Sequence, residues 1–94
     1  MTELPTVELL ETTHDFPTPY MFKVIGKSER GFLARAVAAI REELNLEGDP
    51  PFQSRDAVGG RHVSVTFQPT IATPLDVIAV YRRLAKLDGL VMIL

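Results

Sequence analysis

The chain has 94 residues, of which 46% are hydrophobic and 23% charged, a composition that suits one globular domain and lies well away from that of disordered proteins. Its 10 Lys and Arg against 12 Asp and Glu give a formal net charge of −2, which argues against phosphate-driven nucleic-acid binding, and the lack of cysteine excludes disulfides and Cys-ligated metal. No apolar stretch approaches the roughly 20 residues that span a bilayer, and the acidic start does not resemble a signal peptide. We therefore expect a cytoplasmic protein with neither a nucleic-acid nor a membrane partner.

Residues 1–15 leave two interpretations open. Leu4, Val7 and Leu10 recur at a spacing of three, which is enough for a short docked segment. The Thr and Glu residues around them are equally typical of a mobile N-terminal tail. Two prolines follow within residues 16–19, where they hold the chain extended, so we place a single domain at residues 16–94.

Alternating side chains predict the first strand at residues 20–25. Tyr20, Phe22 and Val24 should face the core. Met21, Lys23 and Ile25 should then face away from it. Gly26 is expected to end the strand.

A helix is predicted next, with the hydroxyl of Ser28 as its N-cap. Gly31 falls in its first turn, where a glycine costs least. Loop-forming residues at 45–51 end the helix. Its predicted buried stripe comprises Leu33, Ala36, Val37, Ile40 and Leu44.

Two strands joined by a hairpin follow. Residues 52–58 indicate a weak, polar edge strand, and residues 59–60, both glycine, are a two-residue hairpin signal because glycine adopts the positive φ of primed turns. In the third strand the alternation places His62, Ser64 and Thr66 away from the core.

The second helix is predicted to begin at Thr73 and Pro74, with the threonine as N-cap and Asp76 at capping-box spacing. Its predicted buried stripe comprises Ile78, Tyr81, Leu84 and Ala85. Gly89 can close the helix in the left-handed conformation, and the apolar run at residues 90–94 is predicted as the last strand.

The element order β-α-β-β-α-β predicts an α+β fold of the ferredoxin-like type. This is a two-layer sandwich in which a four-stranded antiparallel sheet carries two helices on one face. The other face stays open, and Met21 and Ile25, with members of the 90–94 run, would form an exposed apolar strip on it. Because exposed apolar strips indicate association, we expect a homodimer through the open sheet face, or an unknown small-molecule or protein partner.

Several short segments carry a family resemblance. They are residues 16–19, the strand end at 23–26, the hairpin and strand at 60–66, Tyr81, and residues 91–94. Together they resemble the YbeD-like family of small bacterial domains of unknown function, over roughly residues 8–94. The resemblance implies a ferredoxin-like sandwich similar to the ACT domains, which regulate amino-acid enzymes by binding ligands at paired sheets, and it suggests a role near lipoate metabolism. The chain departs from the family at His62, where a tyrosine is usual, and at Ser54, where a Ser-Ser pair is usual.

The open face supplies most of the candidate site residues. Lys23, His62 and Ser64 on this face, and Ser28 at the helix start, are predicted ligand or partner contacts, while Met21 and Ile25 are predicted interface residues. A solvated sheet face is the plain alternative. No catalytic residue or cofactor is predicted, because the pattern contains no catalytic constellation. No metal is predicted either, because two histidines without fixed spacing make no metal site.

Two further functions are weaker alternatives. An acylphosphatase-like enzyme shares this fold and uses an arginine in the first strand-to-helix loop, here Arg30. That chemistry also needs an asparagine on the second strand, and residues 52–58 contain none. An RNA-binding module needs outward aromatic side chains on the first and third strands, which this chain lacks.

The leading interpretation is therefore a small regulatory or ligand-binding module, ACT-like and not an enzyme, with a possible link to lipoate metabolism. The competing interpretation is a protein-interaction adaptor without a small ligand.

Overall fold

Three helices and six strands make up the described part of the chain, residues 4–94 of a computed structural model. The elements are α1 (Val7–Thr13), β1 (Thr18–Pro19), β2 (Phe22–Lys27), α2 (Phe32–Glu43), β3 (Phe52–Asp56), β4 (His62–Phe67), β5 (Thr70–Ile71), α3 (Pro74–Ala85) and β6 (Leu90–Ile93).

The main sheet has four antiparallel strands in the order β3-β4-β2-β6. Helix α2 connects β2 to β3, and α3 connects β4 to β6, through the small strand β5. This arrangement confirms the predicted ferredoxin-like sandwich. Strands β2 and β4 are the two central strands. Strand β4 lies between β3 and β2, and β2 lies between β4 and β6.

The core lies between one face of the sheet and the two longer helices. Strands β2 and β4 place alternate side chains there with less than a tenth of their surface exposed, and the same is true of the apolar stripes of α2 and α3. The central members are Phe22, Val24, Val63, Val65, Phe67, Phe32, Ala36, Val37, Ile40, Val77, Val80 and Leu84. Since both helices contribute to this one core, no helix of residues 4–94 lies over the opposite sheet face.

The start of α2 differs from the prediction. Strand β2 runs through Gly26 to Lys27, because a glycine at position 26 leaves space that the ring of Phe32 occupies. The helix consequently begins at Phe32, with Gly31 as an N-cap in the left-handed conformation (φ 68°) and no side-chain cap. The prediction that Ser28 caps this helix is therefore wrong, since Ser28 lies upstream, with its N–H bound to the Arg61 carbonyl.

The hairpin and α3 also refine the prediction. Both glycines of the hairpin have positive φ as expected, but Ala57 still pairs with His62, so the loop covers residues 58–61 rather than two residues. In α3 the Oγ1 of Thr73 accepts from the Asp76 N–H at 3.3 Å, which confirms the cap. Ala85 is exposed, and the fully buried positions of α3 are Val77, Val80 and Leu84.

The N-terminal segment contains a short helix that packs against α3. The Thr6 hydroxyl caps α1 by accepting from the Leu9 N–H at 3.1 Å, and Leu10 is buried in the core. Residues 1–3 lie outside the described residues. Beyond α1, the strands β1 and β5 pair as a separate two-stranded sheet beside the main one. The domain boundary at residue 16 stays a prediction.

Candidate functional site: the open sheet face

The sheet face without helices is formed by the alternate side chains of all four strands. Pairing registers fix its members, because residues opposite one another in a ladder share a face. In one row across the sheet, Arg55 pairs with Ser64, Ser64 with Ile25, and Ile25 with Met92. In the next row Gln53 pairs with Thr66 and Thr66 with Lys23.

Apolar side chains concentrate on the β2 and β6 side of this face. We call Met21, Ile25, Met92 and Leu94 the apolar strip. Met21 is 55% exposed, Met92 47% and Leu94 56%, while Ile25 is half-buried between its neighbours. The outward orientation predicted for Met21 and Ile25 is what the structure shows. Large, contiguous, half-exposed apolar side chains of this kind mark interaction surfaces in soluble proteins.

Lys23 stands in the middle of the apolar strip. Ile25 is its same-face neighbour along β2, Met21 lies two residues before it, just ahead of the strand, and the backbone N–H of Leu94 donates to the Lys23 carbonyl at 2.8 Å. Lys23 is half-buried, and lysines in such settings lay the aliphatic stem on apolar surface and keep the ammonium group in water. This arrangement puts one cation at the centre of an apolar surface.

The β4 and β3 side of the face is polar. Ser64 and Thr66 are half-buried, and His62 is exposed at the start of β4, where it pairs with Lys27. The structure thus brings the predicted contacts Lys23, His62 and Ser64 onto one surface. Within residues 4–94 no group of three or more His, Cys, Asp or Glu side chains is placed to hold a metal ion.

Ser28 does not join this surface. It lies exposed in the β2–α2 loop, beyond the end of the strand. Arg30, the arginine that an acylphosphatase-like site would use, has a positive φ of 53° and is also exposed. Strand β3 carries no asparagine, so the water-positioning residue of that chemistry has no counterpart there.

A shallow groove of about 560 Å³ runs between α2 and the edge strand β3, on the helical side of the sheet. Its floor is apolar, with Leu33, Val37 and Phe52 among the lining residues. An ion pair between Arg41 and Asp49, 2.6 Å apart, lies at its rim. The groove falls in the size range of small-molecule sites, although it is open to solvent.

An aromatic cluster beside α1 was not predicted from the sequence. The Tyr81 hydroxyl donates to that of Tyr20 at 3.4 Å, and the His14 ring lies 5.1 Å from the Tyr20 ring. Burial, followed by the contact with Tyr20, raises the pKa of Tyr81 far above its ordinary value. The cluster packs the N-terminal segment onto the domain, and the signal that could have found it is the aromatic content of residues 14–20.

The arrangement of one open sheet face and two covering helices defines the chain as a small ferredoxin-like α+β domain. The solution structure of protein HP0495 from H. pylori has the same fold, with a TM-score of 0.61 at 13% identity, covering 100% of this chain and 98% of that one. Residues 11–94 match the family described as "Protein of unknown function (DUF493)", and the chain belongs to that family.

Bacterial relatives agree with this assignment. The chain is 29% identical over 90 residues to a UPF0250 protein of Shewanella amazonensis, covering 92% of this chain and all of the relative. It is 27% identical over 75 residues to a UPF0250 protein of Shewanella putrefaciens, covering 80% and 83%. These relatives confirm the YbeD-like resemblance. None of the helices in residues 4–94 has both the length and the apolar character needed to cross a membrane.

Proposed function

We propose that this protein is a non-enzymatic, cytoplasmic regulatory module that docks a partner through its open sheet face. The observation that carries the proposal is the apolar strip, whose members are half-exposed on a face with no second layer. Burying such side chains is favourable by about 25 cal/mol per Å² of apolar surface removed from water. Because Ile25 and Met92 lie on paired strands, the backbone that carries them is fixed before any partner arrives, which lowers the entropic cost of binding.

A second copy of the chain is one candidate partner for this face. Two sheets can pack face to face about 10 Å apart, and a two-fold axis would place strip against strip. A different protein is the other candidate. Both occupants use the same surface, so one experiment can establish the surface before the partner is known.

A small ligand is the second candidate function, favoured by the groove between α2 and β3. Its apolar floor and the Arg41 guanidinium at its rim suit an acyl chain that ends in a carboxylate. Lipoate is such a compound, so binding in this groove would link the protein to lipoate metabolism. A thermal-shift series with lipoate, octanoate and amino acids tests this, because a ligand that binds only the folded state raises the melting temperature. An Arg41→Gln variant should abolish any shift caused by the two fatty acids. No shift with any of these compounds would remove the small-ligand function.

Site-specific photo-crosslinking in the native cell tests the docking face. A benzophenone amino acid would replace Met92 on the open face, and Leu75 on α3 is the matched control, since it is an apolar residue 66% exposed on the helical side. We expect a discrete crosslinked product from position 92 and none from position 75. A product only from position 75, or none from position 92, would overturn the proposal.

A further inference from the structure

Every charged side chain on the open sheet face is cationic. The outward strand positions carry Lys23, Lys27 and Arg55, together with His62. No Asp or Glu occupies an outward position of the four-stranded sheet, all of which lies within the part of the chain that the structure describes. The chain as a whole carries more acids than bases, so this face differs in sign from the rest of the molecule.

The position of Lys23 within the apolar strip makes the positive charge of this face important for binding. Any partner that covers the apolar strip also covers the lysine between Met21 and Ile25, and thereby removes its ammonium group from water. A buried unpaired charge is costly, so the surface can be covered tightly only if the partner brings a carboxylate to that point. Arg55 lies about 12 Å from Lys23, two strands over and two residues along, and offers a second anchor for an acid.

A second copy of this chain does not meet that requirement. A two-fold interface places the same surface against itself, and the outward side chains of this surface include cations but no acids. Face-to-face pairing would therefore cover two Lys23 side chains without bringing an acidic side chain to either and would bring like charges together, which disfavours association.

We propose that the partner of the open face is a segment of another protein in which acidic side chains stand among apolar ones. This rests on the proposed docking function and names the chemistry of its partner. An amphipathic helix with acids two turns apart spans about 11 Å, which is close to the separation of Lys23 and Arg55. A membrane surface fits less well, because three Lys and Arg on the face fall short of the roughly four to eight that mark anionic-lipid binding.

Two synthetic peptides of about 18 residues test the proposal. The first has leucines at helical spacing flanked by glutamates, and the second is identical except that each glutamate is lysine. Fluorescence anisotropy should show that the acidic peptide binds roughly ten-fold or more tightly than the basic one, with an affinity that falls as salt rises. Lys23→Gln should weaken the preference, because it removes the central cation and leaves Arg55 and Lys27, and Lys23→Glu should weaken it further. Lys86→Glu, on the helical side of the molecule, should leave it unchanged.

Several results would overturn the proposal. They are equal binding of the two peptides, no binding of either, the same loss from Lys86→Glu as from Lys23→Glu, and a sedimentation dimer that Met92→Asp dissociates. Lys23-dependent binding to vesicles of phosphatidylserine and phosphatidylcholine without peptide binding would assign the face to a membrane instead. If the crosslink from position 92 persists while the acidic preference fails, the docking face stands and only its partner's chemistry is wrong.

Discussion

Replacing Gly26 by alanine should destabilise the protein through a side-chain overlap rather than through backbone strain. Gly26 has no positive φ, so alanine suits its conformation, but an added methyl group would overlap the ring of the buried Phe32. Overpacking a core costs about 1–3 kcal/mol, and the gain from stiffening the unfolded chain offsets about 0.4–1 kcal/mol of that. The net loss should be about 1–2 kcal/mol, which lowers the melting temperature by roughly 10 °C in a domain of this size.

Chemical denaturation followed by circular dichroism measures this loss. The control is Gly48→Ala, because a Cβ there meets nothing within 4 Å and the backbone is not left-handed, so it should show only the gain of about 0.4–1 kcal/mol from stiffening the unfolded chain. Phe32→Leu should relieve the overlap. The double variant should therefore lose less unfolding free energy than the sum of the losses of the two single variants. Gly26→Ala at wild-type stability, or strict additivity with Phe32→Leu, would refute the packing of this ring over the strand.

Three further predictions concern the caps, the N-terminal helix and the aromatic cluster. Thr73→Ala should cost about 1 kcal/mol of unfolding free energy and Thr73→Ser much less, because only the first removes the cap of α3, and equal losses would contradict this. Leu10→Ala should cost about 2–4 kcal/mol in thermal unfolding, against less than about 0.5 for the exposed Leu9→Ala; two small losses would mean that α1 is not docked. The unfolding free energy should fall as pH rises above about 10, because the unfolded Tyr81 phenol releases its proton there while the folded one, with its raised pKa, keeps it. Denaturation at pH 9 and 11 should show a smaller fall in Tyr81→Phe, and an identical fall would contradict the burial of the phenol.

The sequence predicted the fold because its signals are local. Period-two alternation in β4 and the Thr73 cap of α3 each depend on a few neighbouring residues, and both are confirmed. Their order then leaves few topologies, of which the ferredoxin-like sandwich is one. The errors occurred where the packing of another element, rather than the local pattern, decides where a strand ends or a helix begins. Gly26 resembles a strand terminator until the ring of Phe32, six residues on, packs against it.

The candidate site was predicted in part for the same reason. Alternation along β2 tells which residues share a face with Lys23, and the structure places Met21 and Ile25 there. The completion of the apolar strip by Met92 depends on the pairing of β2 with β6, strands separated by most of the chain, and no local pattern reports that register. The predicted contact roles of Lys23, His62 and Ser64 stay predictions.

Methionine-methyl NMR in the presence of a soluble nitroxide is the most direct measurement of whether the face is open and available. With Met21 and Met92 assigned through leucine variants, both methyl signals should broaden strongly in the free protein and recover when the acidic peptide is added. Methyl signals that are already protected in the free protein, or that stay broadened at saturating peptide, would contradict a docking surface on this side of the sheet.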